Sequence, residues 1–487
     1  MSDLGYAAIF MAIIAVASAA SETAARLKWI GKSTGRKILH ITAGVLVSFL
    51  PWFVKNQIYL LVIGALVLAT LYYLVAWNKL EGINDPSKRN WGMVYFPVSF
   101  LLLVLFFIPD KREIFAISFL LMTFSDPFAA ITGTRIKSRK YNLTRDEKST
   151  AGSVAFLIST LFLTSLFLYY EAHWLGREFT PLFIFSFLLI IPVTATLLEA
   201  IPSGGLDNIT VPLGSAFLIN IALTTPEIQI LTGFFAAVAI GFIAFKYRML
   251  TLDGAIGTVV LGTFIFVYGG LQWSLPVLMF FFSSSLLSKI RIQHNRKVEE
   301  RFEKSGTRGI FQVLANGGIG GAVLLLESYF NTGWLYLVYV LSFAAAAADT
   351  WGTEVGTMWR TRTISLRNFN EVPQGVSGGV SLPGTLGALL GAAMVVITTY
   401  YWTADLVIFV SLVGLGFVGS MIDSLMGEFL QVRYRCVKCG LITERKNHCE
   451  QKTAMDKGYS FITNDIVNFC STATSLLLFI LIYNTRL

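Results

Sequence analysis

The chain has 487 residues, of which 55% are hydrophobic and 14% charged, and its mean hydropathy is +0.65. That balance excludes a soluble globular domain and predicts an all-α, polytopic transmembrane helical bundle, because apolar windows of about 20 residues recur throughout. The net charge of +9 does not indicate nucleic acid: no basic stripe is interleaved with aromatics, and membrane orientation explains the charge better.

In chain order, apolar runs fall at 4–20, 38–54, 58–77, 94–109, 113–133, 153–170, 181–200, 210–225, 228–245, 254–269, 271–288, 312–327, 332–349, 384–401, 404–424 and 466–484, about 16 spans. The first run carries Asp3 in place of a basic leader and reads as an uncleaved span. Odd-numbered connections hold 33 of the 38 Lys and Arg residues, which predicts that these connections are cytoplasmic and both termini external. A bacterial-type inner or plasma membrane is expected. The connection near Thr225 and Pro226 has no basic residue, giving two modules, 1–225 and 226–487.

Acids at span ends are costly and point to function. They are Glu22, Asp126, Glu199, Asp207, Asp253, Asp349, Glu354, Asp423, Glu428 and Asp465. The charge count, which does not use them, assigns all ten to the cytoplasmic side. A transporter would carry some near the bilayer middle. One-sided acids suit chemistry at the inner surface with a water-soluble cosubstrate, although caps and ion pairs are the bland reading for each acid alone.

In the first module, a run ends on Asp126 and the next opens at Lys148-Ser149 with Gly152-Ser153 behind. A carboxylate there suits Mg²⁺, and a helix start with free amides suits phosphate. Arg36, Lys37 and His40 share a helical face as a cationic clamp or as snorkelling anchors. Asp207-Asn208 follows Gly205. These motifs, Arg36-Lys37-x-x-His40, Arg89 to Pro97, Asp126 to Gly133, Lys148 to Ser153 and Gly205 to Asn208, resemble those of the polyprenol kinase family, which includes dolichol and phytol kinases. Ser125 departs from the family's Gly, and the loop after Gly133 lacks a second Gly. The resemblance implies CTP as phosphoryl donor to a lipid alcohol, with Asp126 a metal ligand, Asp207 a second ligand or base, and Lys148, Arg36 and Lys37 phosphate clamps.

In the second module, Gln312 to Gly318 (with Asn316), Asp349 to Glu354, Pro373 to Gly379 (with Gly378 and Gly379), Asp423 to Glu428, and Asn464-Asp465-x-x-Asn468 pair Gly-rich backbone with acids, a combination suited to phosphate and metal. Gly387 and Gly391 read as helix-packing positions. From Asp253 to Asn468 the motifs resemble the integral-membrane family that includes phytyl-phosphate kinase, which implies a second phosphoryl transfer. Asp349, Asp423 and Asp465 would hold Mg²⁺, with Asn316, Asn464 and Asn468 orienting oxygens.

The loop 431–463 contains Cys436, Cys439, His448 and Cys449, a set suited to a structural Zn²⁺, with a three-ligand or shared site as alternatives. The expected function is a bifunctional isoprenoid kinase, making lipid phosphate and then diphosphate from lipid substrates in the membrane. A cytidylyltransferase or diacylglycerol kinase is the nearer rival. A prenyl-phosphate flippase is the rival of another class.

Overall fold

The computed structural model describes residues 2–77, 91–295 and 307–484. The chain forms two compact units, Met1–Leu231 and Thr232–Leu487, divided slightly beyond the expected seam.

The first unit contains α1 (Asp3–Arg26), α2 (Lys32–Phe53), α3 (Gln57–Ala76), α4 (Gly92–Phe107), α5 (Arg112–Arg135), α6 (Thr150–Trp174), α7 (Pro181–Ala200) and α8 (Asp207–Ala222). Helix α9 (Glu227–Lys246) spans the division. Helix α5 is the axis of this unit, packing against α2, α6 and α8 and burying Phe115, Phe119 and Met122 completely. Between α5 and α6, strands β1 (Lys140–Tyr141) and β2 (Lys148–Ser149) form a short hairpin. Ser149 then starts α6: its backbone is extended and its Oγ accepts from the Gly152 amide, the usual N-cap solution for an unpaired first-turn donor.

The second unit contains α10 (Leu252–His294), α11 (Ile310–Phe330), α12 (Leu335–Met358), α13 (Leu382–Val396), the single turn α14 (Tyr400–Thr403), α15 (Leu406–Phe429) and α16 (Asn464–Asn484). At 43 residues, α10 would be roughly 65 Å long if straight. It breaks at Gly270 (φ 52°), and Lys289 Nζ donates to the Tyr247 carbonyl, so its two limbs run side by side. Helix α12 is the axis here, with Ala344 to Ala348 buried. Gly387 and Gly391 let α13 lie against it: a Cβ at either would stand 2.8 Å from Trp351 O or 2.7 Å from Ala347 O. Strands β3 (Ile364–Ser365) and β4 (Gly379–Val380) pair beside α15.

Every expected apolar run lies on a helix. The count of spans differs, because twelve helices among the described residues are long and apolar enough to cross a membrane. The limbs of α10 count once, α4 and α8 have only 16 residues, and α2 opens with Lys32, Arg36 and Lys37, which lower its hydropathy.

Candidate functional site

In the first unit, the C-terminal half of α5, the β1–β2 hairpin, the end of α7 and the start of α8 converge. Helix α5 does not end on Asp126 as expected but continues to Arg135, because the residues after Asp126 still pack as helix. Asp126, Glu199 and Asp207 each offer a carboxylate oxygen, and these oxygens lie within 4.8 Å of one another. Lys148 joins them: its Nζ ion-pairs with Glu199, donates to the Glu199 carbonyl at 3.0 Å, and lies 3.6 Å from Asp207 Oδ2. Burial pulls the Lys148 amine down, but the charges of Glu199 and Asp207 outweigh it and raise its pKa above the ordinary 10.5. Asn208 donates its backbone amide to Asp207 Oδ1 at 3.1 Å. Burial and the neighbouring Arg36 charge draw the Lys37 pKa down against the charge of Asp126, and Arg36 is exposed. His40 Nε2 is 3.4 Å from the Met122 carbonyl.

The expected phosphate cradle is already engaged. The Gly152 amide is capped by Ser149, and a Cβ on Gly152 would stand 3.1 Å from Ala129 O, so that glycine packs α6 against α5. Ser153 Oγ lies 2.5 Å from the Tyr141 hydroxyl. Lys148, expected as a phosphate clamp, is held by two acids. Arg89 lies outside the described residues.

The second unit has a polar cavity lined by Asp349, Asp423, Asp465, Asn316, Asn464, Asn468 and the Gly375–Gly379 loop. Asp349 and Asp423 both line it, and two like charges in one buried site favour a proton or a cation there. Asp423 is fixed by Ser471 Oγ at 3.1 Å and by Asn468, whose amide nitrogen, turned toward it, lies 3.0 Å away. Asp465 lines the same cavity. Among the described residues, however, only the Asp126 group and the Cys/His group gather three or more ligating side chains.

An apolar cavity lined by Leu261, Phe266, Phe280, Gly317 and Phe343 adjoins the polar one, and the two share Arg308, Gln312 and Asn316. Arg308 lies over the Phe280 ring, 5.5 Å from its centroid. Burial draws its pKa down against the charge of Glu354.

The structure sorts the other acids into supports. Glu22 pairs with Arg26, and Asp253 accepts from the Ile310 amide that opens α11. Glu354 accepts from Ser288 and pairs with Arg291. Glu428 pairs with Lys457 and Arg433. Sequence reasoning gave Glu199 no role, although its place at a span end was visible. It overlooked Arg308, one more basic residue in a basic connection.

In the loop 431–463, Cys436, Cys439, His448 and Cys449 bring one ligand atom each within 4.8 Å of the others. Hydrogen bonds from the Cys439 amide and from His448 hold the Cys436 thiol down to about 6.

The fold and these cavities define a polytopic helical membrane protein with one acid-lined site in each unit. A family described as integral membrane protein DUF92 matches residues 235–476. An uncharacterized membrane protein of Synechocystis sp. is 31% identical over 229 residues, 46% of this chain and 79% of that protein. The chain belongs to the integral membrane protein DUF92 family. It is also similar to Protein PGR of Arabidopsis thaliana, 27% identical over 51% of this chain and 94% of that protein. Phytol kinase of Synechocystis sp. is 28% identical over 44% of this chain and 89% of that protein. No solved structure matches.

Proposed function

We propose that the chain is a bifunctional integral-membrane lipid kinase: the first unit phosphorylates an isoprenoid alcohol from CTP, and the second converts the monophosphate to the diphosphate. The observation that carries the reading is the Asp126–Glu199–Asp207 cluster with Lys148, in a chain similar to a phytol kinase. Both sites would face the cytoplasm, where dissolved triphosphate meets a lipid head.

An all-oxygen donor set of three carboxylates fits Mg²⁺, and the facing pair Asp349 and Asp423 fits a cation for the reason given above. When bound, the ion would offset charge on the transferring phosphoryl group. The remaining work belongs to side chains. An alcohol is a weak nucleophile at neutral pH, so Asp207 takes its proton as it attacks. Lys148 neutralises Glu199 and Asp207 in the resting site and turns to the phosphate when nucleotide enters. Arg36 and Lys37 add positive charge at the mouth.

A lipid monophosphate, with a second pKa of about 6, is already ionised at pH 7 and needs no strong base. In the second unit Arg308 holds this phosphate, Asn316 and Asn468 orient oxygens, and the tail lies in the apolar cavity. The shared wall of the two cavities supports an amphiphilic substrate.

The test is incubation of purified protein with geranylgeraniol, Mg²⁺ and CTP labelled at the α or γ phosphate, followed by mass analysis of the lipid. Kinase chemistry puts γ-label in monophosphate and diphosphate. Label from the α position would mean cytidylyl transfer. Lipid movement without nucleotide consumption would mean a flippase.

A further inference from the structure

The loop between α15 and α16 has very little core of its own. It is built from β5 (Arg433–Arg435), β6 (Ile442–Thr443), β7 (Asn447–His448), β8 (Gln451–Lys452) and β9 (Ala454–Lys457), and most of its side chains are exposed or half-buried. A piece this small usually needs a metal or another cross-link to hold its shape.

Its turns converge on one point. Cys436 and Cys439 sit on the turn joining β5 to β6, where the Gly440 amide donates to the Cys436 carbonyl and Gly440 adopts φ +73°. His448 and Cys449 sit on the β7–β8 hairpin. Adjacent ligands are an awkward pair for one ion, and the backbone resolves this: Cys449 and Glu450 both take positive φ, 51° and 63°. L-residues adopt that conformation at a cost. The turn brings His448 Nδ1 to 3.2 Å from Cys449 Sγ and 3.5 Å from Cys439 Sγ. Ligands on a tetrahedral Zn²⁺, with bonds of about 2.3 Å to sulfur and 2.0 Å to nitrogen, stand roughly 3.5–3.8 Å apart. Three sulfurs and an imidazole favour zinc over a hard cation.

The same loop reaches the polar cavity. Glu444, one residue past β6, lines that cavity and accepts from Gln431 Nε2 at 2.7 Å. Gln431 Oε1 accepts from Ser377 Oγ at 2.8 Å, and Arg433 donates to the Ser377 carbonyl. Ser377 and Gly378 line the same cavity as Asp423.

We propose that Cys436, Cys439, His448 and Cys449 bind one Zn²⁺, and that this ion braces the Ser377–Gly378 wall through Gln431 and Glu444. The ion makes no contact with substrate; its role is positional.

The test uses the full chain in detergent and does not depend on the kinase reading. Elemental analysis should find about one zinc per chain in wild type and in Cys470→Ser, and roughly a tenth or less in Cys439→Ser. Hydrogen exchange at residues 375–379 should accelerate when zinc is stripped from wild type by a chelator, and return on zinc addition. The chelation arm covers a Cys439→Ser variant that fails to fold. Wild type that neither carries zinc nor takes it up on titration overturns the site. Zinc whose removal leaves exchange at 375–379 unchanged overturns the brace.

Discussion

Asp349 on α12 and Asp423 on α15 line one and the same polar cavity. Each is followed five positions later by a glutamate held by a basic partner: Glu354, at the edge of the same cavity, by Arg291, and Glu428 by Lys457. The repeated spacing thus has two uses: the aspartates line the cavity and the glutamates anchor its walls. With the reading of two phosphoryl transfers, this arrangement gives a first expectation. Asp349→Asn and Asp423→Asn each reduce diphosphate formation from supplied monophosphate by about 10²-fold or more. Asp126→Asn removes monophosphate formation and leaves the second reaction intact. Equal loss of both reactions in either variant would contradict the division of labour.

Lys148 gives a stability prediction with a control. Its ammonium is largely buried against Glu199, which is nearly fully buried. Lys148→Met leaves that carboxylate without its cation and costs about 3–5 kcal/mol. Adding Glu199→Gln recovers most of the thermal stability but not the first phosphorylation. If the double variant melted as low as the single one, the pair would not be the source of the loss.

The same lysine fixes a pH dependence. Its folded pKa is raised above 10.5, so the pairing contributes fully below the unfolded value. The contribution is lost as pH rises through the folded one. Melting curves of wild type and Lys148→Met should differ by a constant amount from pH 7 to about 10 and converge above that. A difference that shrank between pH 7 and 9 would rule out this titration as its origin.

Gly378 has φ +82°, and a Cβ there would lie 2.4 Å from Glu428 Cβ and 2.7 Å from its Cα. Both the backbone and the space therefore exclude a side chain. Gly378→Ala displaces the wall of the polar cavity, and diphosphate formation falls about tenfold or more while the first reaction is unchanged. The two reactions assayed on one preparation check it.

Gly317 lines the apolar cavity, where an added Cβ would meet the flexible Leu261 side chain at 2.8 Å. Gly317→Val narrows that cavity, so KM for a long prenyl monophosphate rises about tenfold while that for a short one changes little. Equal effects on long and short substrates would remove the tail from this cavity.

Much of the architecture was written locally. A span is a run of apolar residues, and an acid or a capping Ser at its end is visible in the sequence, which is why each run lies on a helix and why Asp126, Lys148, Asp207, Asp349 and Asp423 stood out. The Cys/His cluster of the loop 431–463 was legible for the same reason, its four residues being close in sequence. The sequence could not distinguish Asp253, a helix cap, from Asp349, a cavity-lining residue inside α12, since both sit at the edge of an apolar run. Nor could it separate Arg308 from the other cations of its connection, or show that Gly152 serves packing. Those differences depend on which helix end faces which, and in a buried setting the partner decides whether a charge is a support or a reactive group. Composition and periodicity determined a multi-span bundle with acids at its helix ends; only the tertiary packing decided that Glu199 joins Asp126 and Asp207, and that Arg308 stands where a polar cavity meets an apolar one.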